Sequence, residues 1–149
     1  MIILNDTDYI YEEANRISKG LDILDRKRLA DYLFMESKSD KRKVVSHCQN
    51  LIKHLLKCLY QSEKTSRSWH LTIRNASNTL IDYVEDSKVL YNYLVEKFDD
   101  IYDEARLDAY YETRLSLDTF PKENIFKVDE LLSKQWVRHF LEEHPIANW

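Results

Sequence analysis

The fold is decided by residues 44–59, which read VVSHCQNLIKHLLKCL. Apolar residues recur in this stretch at alternating steps of four and three, the spacing that places side chains on one face of an α-helix. The main set is Val44, Cys48, Leu51, Leu55 and Cys58, and a second set widens the face: Val45, Ile52, Leu56 and Leu59. So broad an apolar face predicts a helix in the middle of a helical bundle.

Glycine and proline content extends this prediction to the whole chain. The 149 residues include one Gly and two Pro, whereas tight hairpins and phosphate-binding loops need such residues at their turns. Hydrophobic residues make up 44% and charged residues 32%, which is typical of globular domains. We therefore predict an all-α, single-domain bundle over residues 1–149, with about five main helices and a short irregular helical segment at the C-terminus.

The boundaries of the first three helices follow from stop and cap residues. The first is predicted from about Asp6 to Lys19, ended by Gly20 as a left-handed stop. The second is predicted over Asp25–Glu36, with Asp25 as its cap. The segment Ser37–Asp40 interrupts the apolar pattern, so a loop is expected there before the third helix, which ends near Tyr60.

The second half of the chain is predicted in the same way. Ser66 is expected to cap the fourth helix, and Asp86–Ser87 to start the fifth. Phe120–Pro121 predicts a break, followed by one or two short helices within Val128–Phe140. Residues 141–149 are expected to form a tail.

The two cysteines indicate the cellular compartment. Cys48 and Cys58 lie ten residues apart on one predicted helix, which separates their Cα atoms by roughly 15 Å. That exceeds the ~7 Å limit for a disulfide, so both are expected to be reduced core residues of a cytoplasmic protein. No stretch approaches the ~20 apolar residues of a membrane span, and Met1–Asp6 resembles no signal peptide.

Charge is segregated along the chain. Lys38–Arg74 contains nine Lys or Arg and two acids, whereas Asp82–Glu112 contains three Lys or Arg and ten acids. The two flanks either pair with each other inside the bundle, or the basic flank faces a charged partner such as nucleic acid. On the fourth helix a polar stripe could contact phosphates: Arg67, His70, Arg74 and Asn78.

Candidate metal ligands are few. His47, His54 and Cys58 fall close together around the third helix, and the i, i+4 spacing of His54 and Cys58 suits a metal. A site would need a further ligand from another segment, so no metal and no cofactor are predicted. On the fifth helix a cluster of acids is expected to be a solvated face: Glu96, Asp99, Asp100 and Asp103.

Arg42 and His47 match the short Arg/His signature of HEPN-type ribonucleases, all-helical proteins that cut RNA with these two residues across a dimer. An imidazole can transfer the proton while a guanidinium stabilises the charge on phosphorus. Five residues of ideal helix separate the two side chains by about 140°. They converge only if Arg42 precedes the regular helix.

From roughly residue 8 to 136 the sequence resembles a bacterial family, frequent in cyanobacteria, known as domain of unknown function 29. The residues that carry the resemblance are His54-Leu55-Leu56-Lys57, Tyr60-Gln61, Arg67-Ser68-Trp69, Thr72-Ile73-Arg74, Glu85-Asp86-Ser87, Tyr102 with Ala105-Arg106, Glu112-Thr113, and Leu117 with Thr119-Phe120-Pro121. The resemblance implies an all-helical fold but no reaction, because the family has no established activity or substrate. The family pattern has Gly where Arg114 stands, and Arg tolerates a left-handed helix cap poorly.

Within the resemblance, eight positions are expected to matter: His54, Lys57, Arg67, Trp69, Arg74, Arg106, Glu112 and Phe120. Trp69 and Phe120 are expected in the core, and the three arginines are expected to pair with acids such as Glu112 or Asp118. The same polar residues could alternatively line a pocket between helices.

Two functional hypotheses follow. The first is a non-enzymatic binding or regulatory module that contacts protein or nucleic acid through the basic flank of the third and fourth helices, either alone or as a homodimer, and without a membrane partner. Its candidate binding residues are His54, Lys57, Arg67, His70, Arg74, Arg106 and Glu112. The second is an RNA-cleaving or toxin-like protein of HEPN type that uses Arg42 and His47.

Overall fold

A computed structural model describes residues 23–147, together with Glu12, Asn15 and Lys19. Internal contacts divide the chain into two compact units, residues 1–40 and 41–149. Every regular element in the described part of the chain is helical, and no strand occurs there, so the predicted all-α class is confirmed. The organisation of residues 1–149 as a single domain stays a prediction.

The described residues contain five α-helices, joined by loops and two short 3-10 turns. The helices are α1 (Ile23–Tyr60), α2 (Arg67–Val84), α3 (Lys88–Thr113), α4 (Val128–Leu131) and α5 (Lys134–Glu143). The 3-10 turns are Ser62–Lys64 and Leu117–Thr119. Among these helices none combines the length and the apolar character that a membrane span requires.

The predicted loop at Ser37–Asp40 is wrong, because α1 runs through it without interruption. Ser and Asp cost only a few tenths of a kcal/mol in a helix, and residues 21–60 include no Gly or Pro that would stop one. The helix also begins at Ile23, so Asp25 lies inside it and does not cap it. The predicted first helix and its stop at Gly20 lie outside the described residues, apart from Glu12, Asn15 and Lys19.

Serines start three of the four helices that begin in the second unit, namely α2, α3 and α5. In each case the hydroxyl accepts the backbone N–H three residues later, which satisfies a donor that the helix itself cannot pair. The pairs are Ser66 with Trp69 at 3.2 Å, Ser87 with Leu90 at 3.1 Å and Ser133 with Trp136 at 3.1 Å. The predicted caps at Ser66 and Ser87 are therefore confirmed. The helix α5 continues to Glu143, three residues into the predicted tail.

Residues 41–60 of α1 lie at the centre of the second unit. Seven of the nine apolar residues in 44–59 belong to the core. The other two, Val45 and Leu59, are partly buried and pack against it. The remaining core residues come from every other helix of the unit: Ile73, Ala76, Leu80, Val84, Leu90, Leu94, Phe98, Ile101, Tyr102, Ala105, Ala109, Leu131, Val137 and Phe140, with Phe120 and Phe126 from the loop before α4. The predicted central position of this apolar helix is thus confirmed within the unit.

Helix α3 ends where the family pattern has Gly. Arg114 follows its last residue with φ 61° and ψ 13°, a left-handed conformation, and donates its backbone N–H to the carbonyl of Tyr110 at 3.1 Å. Arg114 is the one non-glycine residue with positive φ in the described part of the chain. The helix therefore ends in a left-handed cap formed by Arg, although glycine is the residue that adopts this conformation without strain.

Candidate anion-binding site

Two basic helix faces meet between α2 and α5. On α2, Arg74 and Asn78 are one turn apart, and on α5 the same spacing joins Lys134 and Arg138, so each pair shares a face. All four line one recess of about 230 Å³. Both arginines and Lys134 are exposed to solvent, and none of the residues that line the recess is acidic.

A buried hydrogen bond sets the register between these two helices. The Ser77 hydroxyl, which is 1% exposed as a residue, donates to the carbonyl of Leu131 at 2.8 Å just before α5 begins. Val137 and Phe140 then anchor α5 in the core. This bond joins a residue of α2 to the backbone just before α5. The cations on the outer faces of α2 and α5 are therefore carried by rigid elements.

The segment after α5 fixes the other end of the helix pair. His70 donates from Nε2 to the carbonyl of His144 at 2.6 Å, and the backbone N–H of Ala147 donates to the carbonyl of Thr65 at 2.9 Å. The His144 ring stacks on Phe140 with 4.2 Å between the ring centroids. The start of α2 thus lies beside the end of α5, and the two helices are antiparallel. His70 is part of this attachment, because its Nε2 is used in the hydrogen bond to His144.

The cations around the recess are not neutralised. Within the described residues, Arg67, Arg74, Lys134 and Arg138 form no ion pair with a carboxylate. The predicted pairing of Arg67 and Arg74 with acids is therefore wrong, because their stripe on α2 lies on the side towards α5. Like charges that share one recess repel each other, and an anion bound between them would relieve this repulsion.

The other part of the basic flank is neutralised inside the bundle. Glu112 on α3 pairs with Lys53 at 2.7 Å and with Lys57 at 3.5 Å. The ammonium of Lys57 also lies 4.4 Å from the centre of the Trp69 ring, and the side chain of Lys57 is 9% exposed. Trp69 is half-buried and packs against the core at its edge, where its ring face supports a cation.

The charges around Glu112 shift its titration. Burial alone would raise the pKa of this carboxyl, but the hydrogen bond from Lys53 and the positive charges of Lys57 and Lys53 outweigh it, so the pKa lies below its usual 4.5. The carboxylate is thus charged at neutral pH and holds two lysines. One of the predicted internal pairings between the basic and acidic flanks is present here.

Among the described residues, His54 and Cys58 have no third His, Cys, Asp or Glu placed beside them to hold a metal ion. His54 donates from Nδ1 to the carbonyl of Asn50 at 2.9 Å, and burial lowers the pKa of its imidazole. Burial raises the pKa of the Cys58 thiol to about 11, so the thiolate that a metal needs is disfavoured. Across the described ranges, no group of three His, Cys, Asp or Glu residues is placed to hold a metal ion. Both cysteines are buried and free.

Arg106 has a structural partner that the sequence did not indicate. Its Nε donates to the carbonyl of Phe120 and its Nη2 to the carbonyl of Leu117, both at 3.0 Å. The expected pairing of Arg106 with Glu112 or Asp118 is therefore wrong. The guanidinium fork instead holds the turn after α3 against that helix, and Phe120 is buried in the core as predicted.

Arg42 and His47 both line a second depression, a groove of about 610 Å³ that also contains Tyr93 and Asp108 of α3. Both lie inside the regular helix α1, about 140° apart by ideal helical spacing, and both nevertheless contribute to the lining of this one groove. The His47 ring stacks on Tyr83 of α2, with 6.2 Å between the ring centroids. The stated condition for convergence within one chain is not met. Cleavage by a pair formed across a dimer stays a prediction.

The acids of α3 are largely solvated. Asp99, Asp100, Asp103 and Glu96 are all exposed. Asp99 accepts a hydrogen bond from the Asn124 side chain at 3.2 Å, and Asp108 accepts one from Gln49 at 2.7 Å. This face of α3 therefore matches the expected solvated acidic surface.

A family model described as "Domain of unknown function DUF29" matches residues 7–137. The chain belongs to this family. The matched range includes α1, α2 and α3 and ends within α5, at Val137, so it contains Arg74, Asn78 and Lys134 but stops one residue before Arg138. Membership in the DUF29 family agrees with the all-helical fold and brings no assigned reaction. Comparisons with curated proteins and with solved structures gave no match.

Lys134 and Arg138 were not among the residues expected from the sequence. They lie outside the basic segment Lys38–Arg74, in a helix whose overall charge is unremarkable. Their i, i+4 spacing, opposite the buried Val137 and Phe140, does predict that they share an outer face. No sequence signal shows that this face lies beside Arg74.

Proposed function

We propose that this chain is a non-enzymatic nucleic-acid-binding module that contacts the phosphate backbone through the outer faces of α2 and α5. One observation carries the proposal: Arg74, Lys134 and Arg138 surround one recess without an acidic neighbour in its lining. Arg67 extends the same stripe of α2 by two turns. Arg and Lys on rigid helices are the residues that most often contact phosphate oxygens.

The contrast with Lys53 and Lys57 supports this choice of surface. Those lysines lie within 3.5 Å of the Glu112 carboxylate and form ion pairs inside the bundle. The four cations of α2 and α5, Arg67, Arg74, Lys134 and Arg138, are exposed and form no ion pair among the described residues. Cations that meet at one recess without an ion pair can be balanced by a partner of opposite sign.

A nucleic acid is the partner that we propose for this surface. Guanidinium groups present forks of N–H donors that can each hold a pair of phosphate oxygens, and Arg and Lys supply many of the contacts that proteins make to the nucleic-acid backbone. The net charge of the chain is −4, so attraction to a nucleic acid depends on local basic patches such as this one, and we expect binding to be sensitive to salt. Free and buried cysteines support a cytoplasmic location for the module.

The test is the salt dependence of binding to a fluorescent single-stranded RNA and to a single-stranded DNA of the same sequence. With four cations in contact, log K against log salt should have a slope of about −2.8. The double variant R74Q/R138Q should reduce this slope to about −1.4. The matched control is K88Q/K122Q, which removes two exposed lysines elsewhere and should leave the slope unchanged.

Three results would contradict the proposal. Absence of binding at low salt would remove nucleic acid as the partner, and a protein recovered on this face would then replace it. Equal slopes for R74Q/R138Q and K88Q/K122Q would place the contact elsewhere. Cleavage of the RNA that is lost in His47→Ala would show that the module is an enzyme, as the HEPN interpretation requires.

A further inference from the structure

We propose that the recess between α2 and α5 is a pocket for a single phosphate monoester, the group that ends a nucleic-acid strand. This inference rests on the proposed function and narrows it, because it assigns the recess to a strand end and the rest of the stripe to the backbone. Four polar residues of the recess carry it: Arg74, Asn78, Lys134 and Arg138.

The size of the recess suits a small ligand group. Its volume is about 230 Å³, below the ~300 Å³ at which pockets for whole small molecules begin. Val137 and Ser77 on its floor are buried, and the Ser77 hydroxyl proton is already given to the carbonyl of Leu131. A compact charged group such as a phosphate fits this space, and the rest of the molecule that carries it would lie outside the recess.

The number of donors favours a monoester over a backbone diester. Each guanidinium offers five N–H groups, the ammonium three and the amide two. A monoester presents three terminal oxygens and a charge of about −1.5 to −2 at neutral pH, whereas a diester presents two free oxygens and a single charge. Three cations in one recess are therefore balanced more completely by the monoester, and the two arginine forks can each hold a pair of oxygens.

The position of Arg67 gives the path of the strand away from the pocket. Arg67 lies seven residues before Arg74 on the same face of α2, which is about 10 Å along the helix. It is exposed and is not part of the recess lining. The segment after α5 contacts His70 and Thr65 on this side of α2, so a strand whose terminal phosphate sits between Arg74 and Arg138 would reach Arg67 by passing outside that segment.

The test compares three single-stranded RNAs of one sequence, with a 5′-phosphate, with a 3′-phosphate or with hydroxyls at both ends. One phosphorylated RNA should bind at least about tenfold more tightly than the hydroxyl form, which corresponds to roughly 1.4 kcal/mol. Arg138→Gln should abolish this preference. Arg67→Gln should weaken all three RNAs by a similar factor and keep the preference.

The outcomes separate the two proposals. Equal, salt-dependent binding of the three RNAs would overturn the monoester pocket and leave the proposed function intact. If no RNA binds, a thermal-shift titration with inorganic phosphate decides the pocket: a rise in Tm that Arg138→Gln removes and Arg67→Gln keeps supports a site for a free phosphorylated molecule and overturns the nucleic-acid function. No rise in Tm would overturn both.

Discussion

Lys53 on α1 and Glu112 on α3 form an ion pair of 2.7 Å, and the same carboxylate lies 3.5 Å from Lys57. This relationship divides the basic flank in two. The lysines of α1 are matched by an acid of α3 inside the unit, whereas the arginines of α2 face α5 and have no such match among the described residues. The segregation of charge along the sequence is thus partly internal pairing and partly, on our proposal, a surface for a partner.

Replacing Glu112 with Gln should destabilise the fold, because Lys57 would keep a largely buried charge without its counter-ion. Breaking a fully buried pair costs about 3–5 kcal/mol. Since the Glu112 side chain is 43% exposed and solvent screens the pair, we expect about 1–2 kcal/mol from urea unfolding. Glu104→Gln, an exposed acid on the same helix, is the control and should change stability by less than about 0.5 kcal/mol. Equal effects of the two variants would contradict the role of Glu112.

The free energy of unfolding should decrease in two separate pH ranges as the pH is lowered. Burial holds the pKa of His54 below 6.5, so the folded state resists protonation and stability declines as pH falls below about 6.5. Glu112 has a pKa lowered from 4.5, so its contribution is complete above about pH 4.5 and is lost as pH falls through the lower folded-state value.

His54→Gln tests the first of these ranges. Urea unfolding between about pH 7.5 and 5.5 should show a flatter profile for this variant than for the wild type. His139→Gln, at an exposed position on α5, should retain the wild-type slope. A slope that His54→Gln leaves unchanged would show that another group titrates.

Arg114→Gly should stabilise the chain. The residue has φ 61°, where a side chain with a Cβ is strained and glycine is not. After the larger entropy of glycine in the unfolded chain is subtracted, we expect a gain of about 0.5–1 kcal/mol, or roughly 1–4 °C in Tm by calorimetry. Arg114→Ala removes the side chain but keeps the strain, so it should not stabilise. A gain in the alanine variant equal to that in the glycine variant would attribute the effect to the side chain.

Arg106→Gln should release the turn that follows α3. Two charge-assisted hydrogen bonds to the carbonyls of Phe120 and Leu117 would be lost, and we expect about 2 kcal/mol of destabilisation. Arg106→Lys should restore only part of it, because an ammonium lacks the planar fork. Arg138→Gln, an exposed arginine, should stay within about 0.5 kcal/mol of the wild type in the same urea titration. Full rescue by lysine would mean that charge alone, without the fork, holds the turn.

The helices were predictable where local chemistry determines them. The spacing of apolar residues in 44–59 gave the central helix, and Ser66 and Ser87 marked helix starts because a cap acts within one turn. The failure at Ser37–Asp40 has a local cause as well, since polar residues without Gly or Pro weaken a helix too little to end it.

The candidate site was predictable only in part. Arg67 and Arg74 could be placed on one stripe of a helix, but Lys134 and Arg138 join them through the packing of α5 on α2, which no local pattern encodes. The partners of Arg106 are backbone carbonyls, which every residue carries, so its role could not be read from the sequence.

The most direct test of the central claim is an NMR titration of the ¹⁵N-labelled chain with single-stranded RNA. We predict that the largest shifts fall on the side-chain N–H groups of Arg74 and Arg138 and on backbone amides of residues 71–78 and 134–141, and that they disappear at high salt. Shifts confined to the groove lined by Arg42 and His47, or no shifts at low salt, would contradict it.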